Sequence, residues 1–179
     1  MSVLLTTLRP TDWNFPLFVH VLGAMILVGG VLTCAAALAF ARGNIQQLRL
    51  GYWSLLFVGL PGLIVMRIGA TAIWHKYNPN HSFFWAIFPH PGKDPGWIEI
   101  GGTVGDLGGA GLVLALILGW FGIRRLDGAT EDVLTKVPVV GKMEGELLLK
   151  GTLLISLLLL AGYVLAVWAM AGKHPVGGI

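Results

Sequence analysis

Four apolar segments, each long enough to cross the hydrocarbon layer of a membrane, constrain the fold of this chain more than any other feature. They lie at about residues 15–41, 52–74, 98–123 and 147–170. A helix rises about 1.5 Å per residue, so one span needs roughly 20 apolar residues. The chain is 55% hydrophobic and only 12% charged, a composition that is unusual for a water-soluble domain. The sequence therefore predicts an integral membrane protein.

Apolar runs of this length predict helices, because the strands of a membrane barrel alternate in hydrophobicity over segments of about ten residues. We expect an all-α fold, a four-helix transmembrane bundle that forms a single domain over residues 1–179. Prolines break any long helix between the second and third spans, and they are Pro79, Pro89, Pro91 and Pro95. The apolar stretch SFFWAIF among them predicts a short interfacial segment in the outer loop.

Lysine and arginine residues predict the orientation of the chain. Seven lie in the connections after the first and third spans or at the adjoining helix ends: Arg42, Arg49, Arg124, Arg125, Lys136, Lys142 and Lys150. Four lie on the opposite side: Arg9, Lys76, Lys93 and Lys173. Because short cytoplasmic loops are enriched in basic residues, we expect both termini outside. We also expect the membrane to be the cytoplasmic membrane of a prokaryote. No basic and aromatic array indicates a nucleic-acid partner.

All five histidines fall on the predicted outer side, and two of them border the spans. His20 lies inside the first span and His75 ends the second, which places them within about 10 Å of each other in depth. Imidazole is a suitable ligand for haem iron and for copper. His20 is therefore either an axial ligand, with His75 as the second, or a histidine that hydrogen-bonds a neighbouring carbonyl or hydroxyl. Gly23, one turn from His20, admits either a flat macrocycle or merely a close helix.

The outer loop adds two further histidines to the candidate metal ligands. A copper site would use His20 and His75 together with His81 and His90, since neutral imidazole binds copper well. The alternative for His81 and His90 is that they are solvated loop residues.

Arg67 is the second ionisable group that the sequence places deep in a span. It lies about eight positions inside the outer end of the second span, or ~12 Å deep, where an unpaired guanidinium is costly. Asp106 reaches a similar depth in the third span from the same side, so we predict an Arg67–Asp106 ion pair. This pair is either a structural clamp or a functional group, in which Arg67 anchors haem propionates or serves a proton path.

Glycine and proline predict where the helices pack closely or bend. Gly101, Gly105 and Gly109 repeat at i+4 in the third span, a pattern typical of tight helix contacts within one bundle or in an oligomer. Pro61 and Gly62 predict a kink or a loosened turn near the middle of the second span.

Two short motifs resemble a known group of small membrane proteins. The stretch FVHVLGAMILVGGVL, which contains His20, Gly29 and Gly30, resembles the first helix of copper-resistance D-type proteins, HemJ-type protoporphyrinogen oxidases and several uncharacterised predicted integral membrane families. The closing WAMAGKHP is similar to the tails of some uncharacterised members. The resemblance implies a four-helix plan and carries haem b ligation to His20. HemJ-type enzymes also use a lysine in helix 3, which this chain lacks, so the reaction stays unassigned.

Three functions from different classes remain open at this point. The first is haem b binding and electron transfer near the outer surface, as a component of a membrane haem oxidoreductase that works with a quinone or a redox partner subunit. The second is copper handling. The third is a cofactor-free structural or accessory subunit, or a small transporter. No nucleophile with a neighbouring base, phosphate-binding loop or close carboxylate pair is present, so no catalytic residue is assigned.

Overall fold

The computed structural model describes residues 14–41, 44–77, 96–131 and 139–171 of the chain, and every regular element in these ranges is helical. The helices are α1 (Asn14–Phe40), α2 (Ile45–Ser54), α3 (Leu60–Tyr77), α4 (Gly96–Glu131) and α5 (Val139–Ala171). A π-helical turn, Leu55–Gly59, joins α2 directly to α3, so these three elements form one continuous span. No strand occurs in the described ranges. The predicted interfacial segment of the outer loop lies outside them.

Four of the helical stretches are long and apolar enough to cross a membrane, which confirms the predicted all-α fold with four spans. They are Asn14–Phe40, Ile45–His75, Gly101–Gly128 and Met143–Trp168. The first matches the prediction within one residue at each end. The second begins seven residues before the predicted position 52, because the Asn44 side chain accepts a hydrogen bond from the Gln46 amide and caps a polar first turn. Apolar runs therefore underestimate helices whose end turns are polar.

The spans are arranged as two helix pairs. α1 packs mainly against α3, and α4 packs mainly against α5. Contacts of α1 with α5 and of α2 with α4 join the two pairs, whereas α3 and α4 touch only sparsely. We call the end of the bundle that carries His20 and His75 the histidine end. The opposite end, which carries Arg49, Arg124 and Arg125, is the arginine end.

Glycines bring α1 and α3 into backbone contact along most of their shared length. A Cβ atom at Gly23 would lie 2.2 Å from the Met66 amide nitrogen, and one at Gly62 would lie 2.4 Å from the Leu27 nitrogen. Real Cβ atoms essentially never approach another heavy atom within 3.0 Å. Five glycines form what we call the glycine seam, of which two lie on α1, one ends the π-helical turn and two lie on α3: Gly23, Gly30, Gly59, Gly62 and Gly69.

The seam has a regular antiparallel register in which at least one residue of every facing pair is a glycine. The facing pairs are His20 with Gly69, Gly23 with Met66, Leu27 with Gly62, and Gly30 with Gly59. Successive contacts advance by three or four residues, which is the seven-residue period of two helices in a left-handed crossing. The register therefore fixes the level of His20 against α3.

The predicted perturbation at Pro61 and Gly62 takes the form of the π-helical turn. Pro61 has no amide hydrogen to donate to the carbonyl one turn earlier, and the helix widens just before it, so that the Leu60 amide donates to the Leu55 carbonyl. The hydroxyl of Ser54 lies 2.7 Å from the Gly51 carbonyl oxygen and 3.1 Å from that of Gly30. This hydroxyl links the widened turn to α1.

The predicted glycine ridge of the third span is used in part. Gly105 and Gly109 face α3, where their missing side chains leave room for Arg67 and Leu63. The close packing of α4 on α5 instead uses glycines that the i+4 pattern did not select, namely Gly108, Gly111, Gly122 and Gly145. The ridge thus makes room for an arginine, while other glycines bring α5 close.

Candidate functional site

Each of the four spans contributes one polar or ionisable side chain to a layer near the histidine end. These residues are His20 of α1, Arg67 of α3, Asp106 of α4 and Tyr163 of α5. We call this set the four-span polar layer. Polar groups at this depth of an apolar bundle are costly, so a layer to which every span contributes is the strongest candidate site among the described residues.

Contacts with three glycines place the members of the layer at one level. A Cβ atom added at Gly69 would lie 2.8 Å from His20 Cβ. One added at Gly105 would lie 3.2 Å from Arg67 Nη1, and one added at Gly108 would lie 2.8 Å from the Tyr163 hydroxyl oxygen. Gly69 is two residues from Arg67 along α3, and Gly108 is three residues from Gly105 along α4. Together these separations span about five residues along the helix axes, so at about 1.5 Å per residue the whole layer is about 8 Å thick.

The ring of His20 is held by the backbone of α3. Its Nδ1 lies 2.9 Å from the carbonyl oxygen of Met66. A carbonyl oxygen only accepts hydrogen bonds, so Nδ1 carries the hydrogen, and in the neutral ring Nε2 keeps its lone pair. Histidines that bind metals are commonly oriented by the same kind of bond from their second nitrogen to a backbone carbonyl. The bond is consistent with the predicted alternative in which His20 only hydrogen-bonds a neighbouring carbonyl. It also leaves Nε2 able to act as a metal ligand.

His75 lies nearer the histidine end than the layer does. It follows Gly69, the residue level with His20, by six positions, which is about 9 Å along α3. Its Nδ1 is buried and has no hydrogen-bond partner in the described part of the chain. An unbonded buried ring nitrogen costs about 1–3 kcal/mol, so a bound molecule, a metal ion or a water at this nitrogen would be stabilising.

Arg67 and Asp106 form an ion pair, so the structure brings together the two residues that the sequence predicts to pair. Their side chains are 31% and 29% exposed, respectively. Gly105 makes the pair possible, because its lack of a side chain leaves room for the guanidinium. Since α3 and α4 otherwise touch sparsely, the ion pair clamps the two helix pairs together near the histidine end.

Tyr163 is the member of the layer that sequence analysis missed. Its side chain is only 6% exposed and belongs to the main core cluster with Met66 and Leu112. The hydroxyl oxygen is buried and has no hydrogen-bond partner within the described residues. One signal was available in the sequence, because Tyr163 lies as far inside the fourth span as Asp106 lies inside the third.

We expect Tyr163→Phe to stabilise the protein by about 1 kcal/mol, because it removes a buried hydroxyl that gains no hydrogen bond in return. The measurement is chemical or thermal unfolding in detergent micelles, followed by circular dichroism. Tyr52→Phe is the matched control near the arginine end, and it should change stability by less than about 0.5 kcal/mol. A clear loss of stability in Tyr163→Phe would instead show that the hydroxyl has a partner, such as a bound molecule.

Gly23 takes part in a close helix contact. The backbone of Met66 occupies the space beside it, which is the close-helix alternative of the two that the sequence left open. Among the described side chains, no group of three or more histidine, cysteine, aspartate or glutamate residues is placed to hold a metal ion. His81 and His90, the other candidate metal ligands, lie outside the described residues.

The fold and the layer together define an all-helical integral membrane protein with four spans. No family model matches the chain, and no curated protein and no solved structure matches it either. The resemblance of the His20 segment to copper-resistance D-type and HemJ-type proteins therefore stays a prediction.

Proposed function

We propose that this chain binds haem b through His20 and transfers electrons at the histidine end of the membrane. One observation carries the proposal, namely the hydrogen bond from His20 Nδ1 to the Met66 carbonyl oxygen. This bond fixes the ring and its tautomer in advance, so that Nε2 can donate its lone pair to iron at little further cost in conformational entropy. Haem, when bound, supplies reversible one-electron chemistry.

Other residues near the histidine end have chemistry that suits such a group. The buried Nδ1 of His75 lacks a partner, which makes this ring the best candidate for a second ligand or a hydrogen-bond donor. Tyr163 offers a buried hydroxyl that can donate a hydrogen bond within the layer. Electrons would be exchanged with a membrane quinone, which accepts them, with its reduced quinol form, which donates them, or with a redox partner subunit, because the site lies within a span and near its end.

Absorption spectroscopy of the purified protein tests the proposal. We expect a Soret band with about one haem per chain, and we expect His20→Ala to abolish the band. His75→Ala should keep bound haem while the spectrum shifts from six-coordinate to five-coordinate iron if His75 is the second ligand. Tyr52→Phe, near the other end of the bundle, is the control and should leave the spectrum unchanged.

Two outcomes of that experiment would overturn haem binding. One is a folded, colourless protein that stays colourless after incubation with hemin. The other is stoichiometric copper without porphyrin in metal analysis, which would support the copper-handling alternative.

A second candidate function is a cofactor-free structural or accessory subunit, or a small transporter. The glycine seam favours it, because backbone contact between α1 and α3 holds the spans together without a cofactor. The Arg67–Asp106 pair does the same for the two helix pairs. This candidate predicts a colourless, metal-free protein that is fully folded and copurifies with its partner.

A further inference from the structure

The three described arginines at the arginine end differ in how their charges are compensated. Arg49 donates to Asp127 across a distance of 2.9 Å, and so links α2 to α4. Arg125 pairs with Glu144 and links α4 to α5. Arg124 has no carboxylate partner among the described side chains.

Arg124 instead lies over an aromatic ring. Its guanidinium carbon is 4.7 Å from the centroid of the Trp120 ring, one turn earlier on α4. The residue four positions later is Gly128, and Asp127, three positions later, is already bonded to Arg49. The guanidinium is exposed on the side of the bundle that carries Trp120, and within the described ranges it forms no ion pair of its own.

Aromatic side chains continue from Trp120 onto the second span. Tyr52 lies between Trp120 and Trp53, with ring centroids 6.0 Å and 5.2 Å away. Trp53 stacks on Phe57 at 5.2 Å. Trp53, Phe57 and Trp120 are all exposed although they are large and apolar. We call Tyr52, Trp53, Phe57 and Trp120 the aromatic surface.

We propose that Arg124 and the aromatic surface bind the head group of an anionic phospholipid. Arg124 lies four residues, or about 6 Å, inside the end of its span, which is the level of lipid phosphates and of interfacial tryptophans. A guanidinium binds a phosphate well, and Phe57, deeper in the span, lies where an acyl chain would pass. A lipid with a net negative charge complements the positive charge of Arg124. In a zwitterionic lipid, the cationic group of the head group already balances the charge of the phosphate.

This inference does not depend on the proposed haem site. The two sites lie at opposite ends of the bundle, so the failure of one proposal leaves the other intact.

Native mass spectrometry of the full chain in detergent micelles tests the lipid site. We expect phosphatidylglycerol to bind about fivefold more tightly than phosphatidylcholine, the preference that one uncompensated basic residue near the surface provides. In Arg124→Gln the two lipids should bind about equally well. Arg124→Lys should keep most of the preference for phosphatidylglycerol. The matched control is the double variant Arg125→Gln with Glu144→Gln, which removes a compensated pair at the same net charge and should keep the preference.

Three results would overturn the proposal. The first is equal binding of the two lipids to the unaltered protein. The second is an unchanged preference in Arg124→Gln, or an equal loss in the double variant. The third is binding of inorganic phosphate as tight as that of phosphatidylglycerol, since the site would then recognise free phosphate. Circular dichroism of each variant confirms that a lost preference does not reflect unfolding.

Discussion

A single methyl group added at Gly23 should destabilise the protein by about 3 kcal/mol, the upper end of the usual cost of overpacking. The new Cβ atom in Gly23→Ala would lie 2.2 Å from the Met66 nitrogen and 2.6 Å from its Cα. Both atoms belong to the backbone, so no side-chain rotation relieves the clash. α1 and α3 must separate, and every contact of the glycine seam is weakened.

Gly29→Ala is the matched control on the same helix. Nothing lies within 4 Å of the position that a Cβ atom would take at Gly29. Alanine also favours a helix over glycine by about 1 kcal/mol, so this variant should be neutral or slightly more stable. Unfolding in detergent micelles, followed by circular dichroism, compares the two variants directly. Equal stability of Gly23→Ala and Gly29→Ala would contradict the backbone contact between α1 and α3.

The same pair of variants tests how the candidate site is positioned. The glycine seam determines the position of His20 relative to α3. The backbone of His20 contacts Gly69, and its ring is hydrogen-bonded to the carbonyl of Met66, the residue that faces Gly23. Separation of the helices in Gly23→Ala therefore moves the histidine away from the carbonyl that orients it. If His20 binds haem, we expect Gly23→Ala to lose haem along with stability, and Gly29→Ala to lose neither.

Length and charge made part of this structure predictable from the sequence. Four apolar runs define four spans because the thickness of a membrane fixes the length of a helix that crosses it. Arg67 and Asp106 could be paired by counting residues from the ends of their spans, because an isolated charge at that depth is costly and needs a partner.

Rotation about each helix axis was not predictable in the same way. The chain has 26 glycines, and an i+4 repeat selected Gly101, Gly105 and Gly109. The seam follows a spacing of seven, from Gly23 to Gly30 and from Gly62 to Gly69, which is the period of two helices that cross at a small angle. Which glycines meet a neighbour depends on the facing helix, so one helix by itself does not reveal them.

The level of the histidines was predicted only approximately, and for a related reason. Counting from the predicted helix ends placed His20 and His75 within about 10 Å of each other in depth, and the seam, which makes His20 level with Gly69, leaves His75 about 9 Å further along. Tyr163 was missed because tyrosine is common near membrane boundaries. A buried hydroxyl is recognised only when the facing Gly108 is known.

Asp106→Asn should destabilise the protein by about 2 kcal/mol. Breaking a fully buried pair costs about 3–5 kcal/mol and breaking a surface pair costs 0–1 kcal/mol. The Arg67 and Asp106 side chains are 31% and 29% exposed, which lies between these limits. Most of the loss arises because Arg67 keeps its charge within the span while its partner carboxylate is gone.

The double variant Arg67→Met with Asp106→Leu separates the cost of removing only the Asp106 charge from the stability that the ion pair itself contributes. Both charges are then absent, so we expect it to recover most of the stability that Asp106→Asn loses. Asp127→Asn breaks the exposed pair with Arg49 and is the control, with an expected loss below about 0.5 kcal/mol. Equal losses for Asp106→Asn and Asp127→Asn would contradict a clamp between α3 and α4. If the unaltered protein binds haem, a double variant that is stable but has lost haem would show that the ion pair also serves the cofactor, because apolar packing replaces only the structural role of the pair.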